Sequence, residues 1–228
     1  MIYNKKILGL IPARGGSKGV PGKNIKYVNK KPLIYWTIQT ATKSKYIDRL
    51  ILSSEDQSII NIAKEYGLEV PFIRPRHLAE DLSTGDDVAL HAIKKCPGFD
   101  IIVLLQPTSP LRIHSDIDGA IEKMVNNNAM ACVSVSASRK YPNWLYHLDG
   151  DELLVPIDSQ QIVIKNRQEL PLVYALNGSV FVAMIDWYIV NKTFLGKKTI
   201  SFIIPNKRSI DIDNDIDFVI AEALMKNN

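Results

Sequence analysis

Two short stretches of this sequence concentrate groups that could do chemistry. Residues 11–24 read IPARGGSKGVPGKN, interleaving Gly15, Gly16, Gly19 and Gly22 with Arg14, Lys18 and Lys23. Residues 211–217 read DIDNDID, with Asp211, Asp213, Asp215 and Asp217 at alternate positions. Glycines let a backbone approach an anion closely, and successive N–H groups in such a turn form an anion-binding nest. The neighbouring cations neutralise the anion, Arg14 with bidentate geometry. Alternating carboxylates are what Mg²⁺ or Ca²⁺ takes as ligands. Phosphate at one end of the chain and a divalent cation at the other is the pairing these residues point to.

The glycine loop fits neither of two common phosphate motifs. A P-loop needs G-x-x-x-x-G-K-[ST]. Gly22–Lys23 supplies its end, but Ser17 stands at the first glycine and Asn24 at the metal-binding hydroxyl. The dinucleotide fingerprint fails as well, since Arg14 falls where its first glycine belongs. The acidic stretch fails as an EF-hand: position 6 is Ile216 where the sharp turn needs Gly, and a strand-like TISFIIP precedes it. Ile216, Val219, Ile220, Ala223 and Leu224 instead recur at helical spacing, so a helix begins near Asn214 or Asp215. Asp211 and Asp213 then lie in a strand-to-helix turn where both could face one metal ion, with N-capping as the plainer alternative.

Three further segments carry polar groups at strand ends. LLQPTSPLR (104–112) leaves an apolar run with Gln106, Thr108 and Ser109, suited to a base, ribose or sugar hydroxyl. Arg112 could bind a carboxylate or phosphate; a rigid strand exit explains the segment equally well. In RPRHLAEDLSTGDDV (74–88), Arg74 could reach a nucleotide, Ser83 or Thr84 caps the next helix, and Asp86 and Asp87 sit in its first turn for structural reasons. RQELPLVYALNG (167–178) holds Arg167 and Gln168 ahead of Tyr174, Asn177 and Gly178. No two of His77, His91, His114 and His147 have metal-ligand spacing, and no serine or cysteine sits in a nucleophile elbow.

These residues need a scaffold, and the apolar pattern supplies one. Short apolar runs recur at 7–11, 50–53, 101–105, 131–135, 179–185 and 199–204, and several lack alternation, as strands buried on both faces do. Helical patterns separate the early ones. PLIYWTIQTATKSK places Leu33, Trp36, Thr37, Thr40 and Ala41 on one face. DQSIINIAKEYG carries Ile59, Ile62, Ala63 and Tyr66 up to a Gly67 stop. Strand–helix alternation predicts an α/β fold with a mostly parallel sheet and helices on both faces, binding ligands at the carboxyl ends of its strands. The glycine loop follows the first strand and belongs at that edge. The rhythm breaks over about 138–172, read as an insertion into a single domain: a dimerisation arm or a lid, with a hairpin turn at Asp149–Gly150.

Composition narrows the partners. Hydrophobic residues are 46% of the chain, enough for a core. The +4 charge, from 28 basic and 24 acidic residues, is mild, and no basic run is dense enough for nucleic acid. Cys96 and Cys132 read as buried thiols in a reducing compartment. No window approaches the ~18 apolar residues of a membrane helix, and the first residues do not read as a signal peptide. A cytoplasmic protein without membrane or nucleic-acid partners is the expectation.

IPARGGSKGVPGKN closely resembles the signature of the N-acylneuraminate cytidylyltransferases. The similarity continues in order through LLQPTSPLR, RQELPLVYALNG and SIDIDNDIDF, covering nearly the whole chain. It implies a three-layer α/β/α, Rossmann-like fold of the nucleotide-diphospho-sugar transferase type, with a small inserted dimerisation arm. It also implies CTP and a nine-carbon 2-keto sugar acid as substrates, with Mg²⁺, or Mn²⁺ in its place, on Asp211 and Asp213. By motif position Arg14, Gly16, Ser17, Lys18, Lys23 and Asn24 hold CTP with Arg74, and Arg14 and Lys23 join the two acids in catalysis. Gln106 meets the sugar with Thr108, Ser109 and Gln168 near it, and Arg167 pairs with the sugar carboxylate across a homodimer interface. N-acetylneuraminate and legionaminate lead as acceptors. The 3-deoxy-manno-octulosonate and pseudaminate enzymes have different loops, resembling YASTRLPGK and SKRIPRKN. A binding protein of the same fold without turnover, or a glycosyltransferase, whose DxD motif would lie mid-chain, is the rival from another class.

Overall fold

The structure is a computed structural model, and it describes residues 2–17, 19–138, 140–157 and 171–226. Its elements are β1 (Ile7–Pro12), β2 (Tyr27–Val28), β3 (Lys31–Pro32), α1 (Leu33–Thr42), β4 (Arg49–Ser53), α2 (Gln57–Glu65), α3 (Gly85–Lys95) and β5 (Ile101–Leu104). There follow α4 (His114–Asn126), β6 (Ala131–Ala137), β7 (Tyr146–Leu148), β8 (Leu154–Pro156), β9 (Tyr174–Met184), α5 (Ile185–Asn191), β10 (Thr199–Ile203) and α6 (Asp215–Lys226). All six apolar runs picked from the sequence are strands of one sheet, in the order β10-β6-β9-β5-β1-β4.

Five of these strands run the same way. β1 is parallel to β4 and β5, and β10 is parallel to β6. β9 lies antiparallel between β5 and β6 and so joins the two parallel groups in a common direction. Successive strand residues alternate between two cores. Ile7, Ile11, Leu52, Ile101 and Val103 pack on one face beneath α1, α2 and α4. Leu8, Leu10, Ile51, Ile102 and Leu104 pack on the other beneath α3 and α5. Both faces being covered explains why β1 and β5 read as unbroken apolar runs, each fully buried aliphatic side chain contributing about 1.5–3 kcal/mol. The result is the three-layer α/β/α architecture expected.

Local signals set the helix ends. Asp56 caps α2 by accepting from the Ile59 N–H, and Gly67 (φ +77°) follows its end. Thr84, not Ser83, caps α3, in a reciprocal capping box with Asp87. α1 buries Leu33, Ile34, Thr37, Ile38 and Ala41, a face rotated from the predicted one, because the sheet meets Ile34 and Ile38 while Trp36 turns its indole N–H to the Val28 carbonyl. α6 buries Phe218 and Ala221 against Val20, Val28 and Leu33, leaving Ile216, Val219 and Ile220 exposed. In the insertion, β7 and β8 pair as the expected hairpin, its turn held by Asp149 accepting from the Asp151 and Leu153 N–H groups. Residues 158–170 lie outside the described residues, and with them Arg167 and Gln168; Lys18 and Arg139 do too. Among the described residues no helix is long and apolar enough to cross a membrane.

Candidate functional site

Because β1, β4, β5 and β10 are parallel, the segments leaving them emerge on one edge of the sheet. That edge receives Arg14 after β1, Glu55 after β4, Gln106 after β5 and Asp211 beyond β10. A cavity of about 520 Å³ opens there. Its walls include Arg14, Ser17, Lys23 and Asn24 from the glycine loop, Arg74, then Gln106 and Thr108, then Asp211 and Asp213. Residues from opposite ends of the chain thus share one space. Gly16 lines a neighbouring cleft with Ser17 and Glu80. Ser109 is 1% exposed and lies behind the wall rather than on it.

The glycine loop is fastened at several points. Asn24, itself buried, donates from Nδ2 to the Arg14 carbonyl at 3.0 Å. The Arg14 guanidinium donates to the Glu80 carbonyl at 3.2 Å and meets Asp81 Oδ1 at 3.3 Å, tying the loop to the turn before α3. Lys23 Nζ lies 2.6 Å from the Ile212 carbonyl and 3.1 Å from Asp213 Oδ1, which ties it to the acidic segment. The Gly15 N–H donates to Glu55 Oε1 at 2.7 Å, so that amide faces away from any nest. Gly19 is set by close approach: a Cβ there would lie 2.2 Å from the Asp213 carbonyl oxygen. Gly19→Ala is therefore expected to push the loop off the acids and lower turnover by about 10²-fold, as an ångström-scale displacement does. Steady-state assays check this, and a rate within threefold of the parent protein would show that the loop relaxes freely.

Arg74 is buried at the back of the cavity. Its Nε donates to Ser53 Oγ at 3.0 Å and its Nη2 to the Ser53 carbonyl, with Glu55 Oε2 at 4.0 Å. Burial pulls its pKa down to about 10, Glu55 opposing the shift and Arg14 adding to it, so it stays cationic at neutral pH. Arg112, the other arginine at a strand exit, is not available to a ligand. It is 2% exposed, and it donates to the Gln106 and Ser179 carbonyls and to Thr37 Oγ1. Burial lowers its pKa to about 9, and it acts as a clamp under the 104–112 turn.

The four alternating acids separate by role. Asp217 accepts from the Asp213 and Asn214 N–H groups and Asn214 accepts from those of Ile216 and Asp217, which caps α6. Asp215 pairs with Lys26 at 2.5 Å. Asp211 and Asp213 remain on the cavity. Burial, first among its causes, raises the Asp211 pKa; a hydrogen bond from Thr108 opposes this, Asp213 and Asp217 add to it, and Lys23 works against it. Oδ1 of Asp211 is buried with no hydrogen-bond partner among the described residues.

That unpartnered oxygen fits a divalent cation. No group of three or more His, Cys, Asp or Glu side chains suited to a metal occurs among the described residues. Two carboxylates suffice for Mg²⁺, which keeps several waters and takes its other ligands from phosphate oxygens. Sequence reasoning did not single out Glu55, Leu78 or Glu80, which shape this site. Only proximity to strand exits and to Arg74 could have signalled them.

Fold and cavity define an α/β protein with a cation-rich pocket and a carboxylate pair at the carboxyl edge of its sheet. A family model described as cytidylyltransferase matches residues 8–179. The chain belongs to that family. It is 36% identical over 228 residues to CMP-N,N′-diacetyllegionaminic acid synthase of Legionella pneumophila, with 98% of this chain and 97% of the relative covered. It is 32% identical over 222 residues to N-acylneuraminate cytidylyltransferase of Escherichia coli, covering 97% of this chain but 52% of that one. Among solved structures it resembles CMP:2-keto-3-deoxy-manno-octonic acid synthetase complexed with CTP, at a TM-score of 0.74 and 15% identity, covering 97% of this chain and 99% of that one. At that identity the likeness is one of fold.

Proposed function

We propose that this cytidylyltransferase activates a nonulosonic acid with CTP, releasing pyrophosphate and the CMP-sugar. The observation that carries the reading is the meeting of the glycine-loop cations with Asp211 and Asp213 across one cavity. The full-length similarity to the legionaminic acid synthase supports the acceptor class. The acceptor's anomeric hydroxyl attacks the α-phosphorus of CTP in line, loses its proton, and the bond to the β-phosphate oxygen breaks. Lys23 and Arg14 stabilise the charge gathering on pyrophosphate, with Lys18 assigned beside them from its motif. Arg74, Ser17 and Asn24 hold the nucleotide, and Gln106 and Thr108 face the sugar. A divalent metal, Mg²⁺ or Mn²⁺, held by Asp211 and Asp213 would offset phosphate charge and align the triphosphate. Arg14 and Lys23 exchange their present contacts to Asp81 and Asp213 for phosphate.

The insertion is assigned to pairing with a second copy. Leu148, Leu153 and Leu154 on its hairpin are more than 60% exposed, an apolar surface of the kind that interfaces cover. Sedimentation reading a monomer at micromolar concentration would exclude this. Arg167, carried over from its motif, pairs with the acceptor carboxylate. Arg167→Ala is expected to raise the acceptor KM by about 10- to 100-fold with little change in the CTP KM. The opposite pattern would move Arg167 to the nucleotide.

The activity is tested by pyrophosphate release from CTP and Mg²⁺ with N-acetylneuraminate, legionaminate, pseudaminate or 3-deoxy-manno-octulosonate. Release that depends on one of the first two confirms the reading and names the acceptor. Release only with the octulosonate would overturn the nonulosonate assignment, and CTP binding without release across the panel would mark a protein that has lost its chemistry.

A further inference from the structure

The segment YALNG opens β9 behind Gln106 and Asp211 of the cavity wall, and no assignment above uses its last two residues. At this point the β6–β9 ladder is irregular. Val133 pairs with Phe181 and Val135 with Leu176, so Asn177, Gly178, Ser179 and Val180 stand opposite Ser134 alone. The extra residues form a bulge, a device that re-aims backbone near functional sites. Side chains hold it rigidly. Ser134 Oγ donates to Asn177 Oδ1 at 2.6 Å and accepts from the Val180 N–H at 2.7 Å. The same Oδ1 accepts from the Ser179 N–H at 3.2 Å.

The other end of the Asn177 amide leaves the sheet. Its Nδ2 donates to Ser209 Oγ at 3.0 Å, and the single Ser209 hydroxyl proton is shared between the Ile204 and Pro205 carbonyls at 3.2 and 3.1 Å. Ser209 precedes Asp211 by two residues. Asn177 is 5% exposed and Ser134 1%, so the bonds within the bulge are shielded from water, where losing one costs most, and the bond to Ser209 is part-buried. The bulge also delivers Gly178 in the left-handed region at φ +69°. A Cβ on it would lie 2.5 Å from Gln106 Oε1 and 3.2 Å from Asp211 Oδ2. A backbone without a side chain is thus the floor on which the Gln106 amide and the Asp211 carboxylate are both seated.

We propose that Asn177 is a positioning residue for Asp211: through Ser209 it clamps the turn that carries this carboxylate onto the β9 bulge. This rests on the assignment of Asp211 to the metal. It gives the Asn-Gly pair a role in aiming a ligand from behind, which metal sites generally require of their supporting shell.

The test uses the full-length protein with Ser209→Ala, Ser209→Thr and Asp211→Asn, reading Mn²⁺ alone by electron paramagnetic resonance alongside steady-state kinetics. Ser209→Ala removes the acceptor for Asn177 without opening the core. It is expected to weaken Mn²⁺ binding and lower kcat by about tenfold each, with the CTP KM moving less than about twofold. Ser209→Thr, which keeps the hydroxyl, is expected to restore both. If Ser209→Ala lowers only the melting temperature while Asp211→Asn loses Mn²⁺, the clamp is merely structural and the proposal is overturned. If Asp211→Asn binds Mn²⁺ like the parent protein, the metal assignment itself fails and the clamp falls with it.

Discussion

Asp211→Asn is expected to lower metal-dependent turnover by about 10³-fold while the protein stays folded. The amide keeps the size of the carboxylate but gives up the charge that a divalent cation needs. Folding should not suffer, because burial disfavours the charged form in the first place, as the raised pKa of Asp211 records. A folded-state pKa above the unfolded one means stability that is fully present in acid and is lost as pH rises through the folded value. At pH 7–8 the native carboxylate is therefore a burden, and Asp211→Asn without metal should melt at the same temperature as the parent or higher. Turnover has the opposite pH dependence, falling as acid protonates Asp211. Thermal melts at pH 5 and 8, with rates at saturating Mg²⁺, check both halves. A near-normal rate in this variant, and in Asp213→Asn beside it, would remove the pair from the metal site.

Lys23→Ala is expected to cost about 10²–10³-fold in kcat. Its ammonium has two tasks. It bridges the glycine loop to the Ile212 carbonyl and Asp213 Oδ1, and it lines the cavity in which the proposed reaction would gather charge on pyrophosphate. Lys23→Arg should rescue poorly. The lysine side chain is only 13% exposed, and a planar fork does not replace a compact point charge in that gap. Rapid-quench measurement of the chemical step separates this from an effect on CTP binding. A kcat within threefold of the parent would assign Lys23 to holding the loop alone.

The sequence disclosed the inner strands β1 and β5 well because burial on both faces leaves no polar alternation to confuse them. It disclosed the helices less well in orientation. In α6 the stripe of Ile216, Val219 and Ile220 has helical spacing, but the buried face is Phe218 and Ala221, where a small residue lets the helix approach Val28. Spacing identifies a helix and not which of its sides meets the core. The antiparallel course of β9 was equally invisible, since β-branched apolar runs read alike in either direction. Within the site, residues in Gly-rich or acidic clusters were legible from type and spacing. Arg112 and Arg74 both read as cations at strand exits and both donate to carbonyls, yet only Arg74 also lines the cavity, a difference that depends on tertiary neighbours. Glu55 carried no local signal, because its role comes from Gly15, forty positions earlier in the chain.

Lys23 and Asp213 touch across 190 positions of sequence. Synthesis delivers the glycine loop some 190 positions before the acids. A growing chain that has reached Pro205 already contains all six strands of the central sheet, and with them most of both large cores. Local and intermediate contacts form before such distant ones, so this chain can collapse early. It would still hold cations without their acids and lack the helix that seals Val28. The proposed catalytic centre is thus completed only after the central sheet, and a chain released between Pro205 and Asp211 would hold that sheet without the carboxylates.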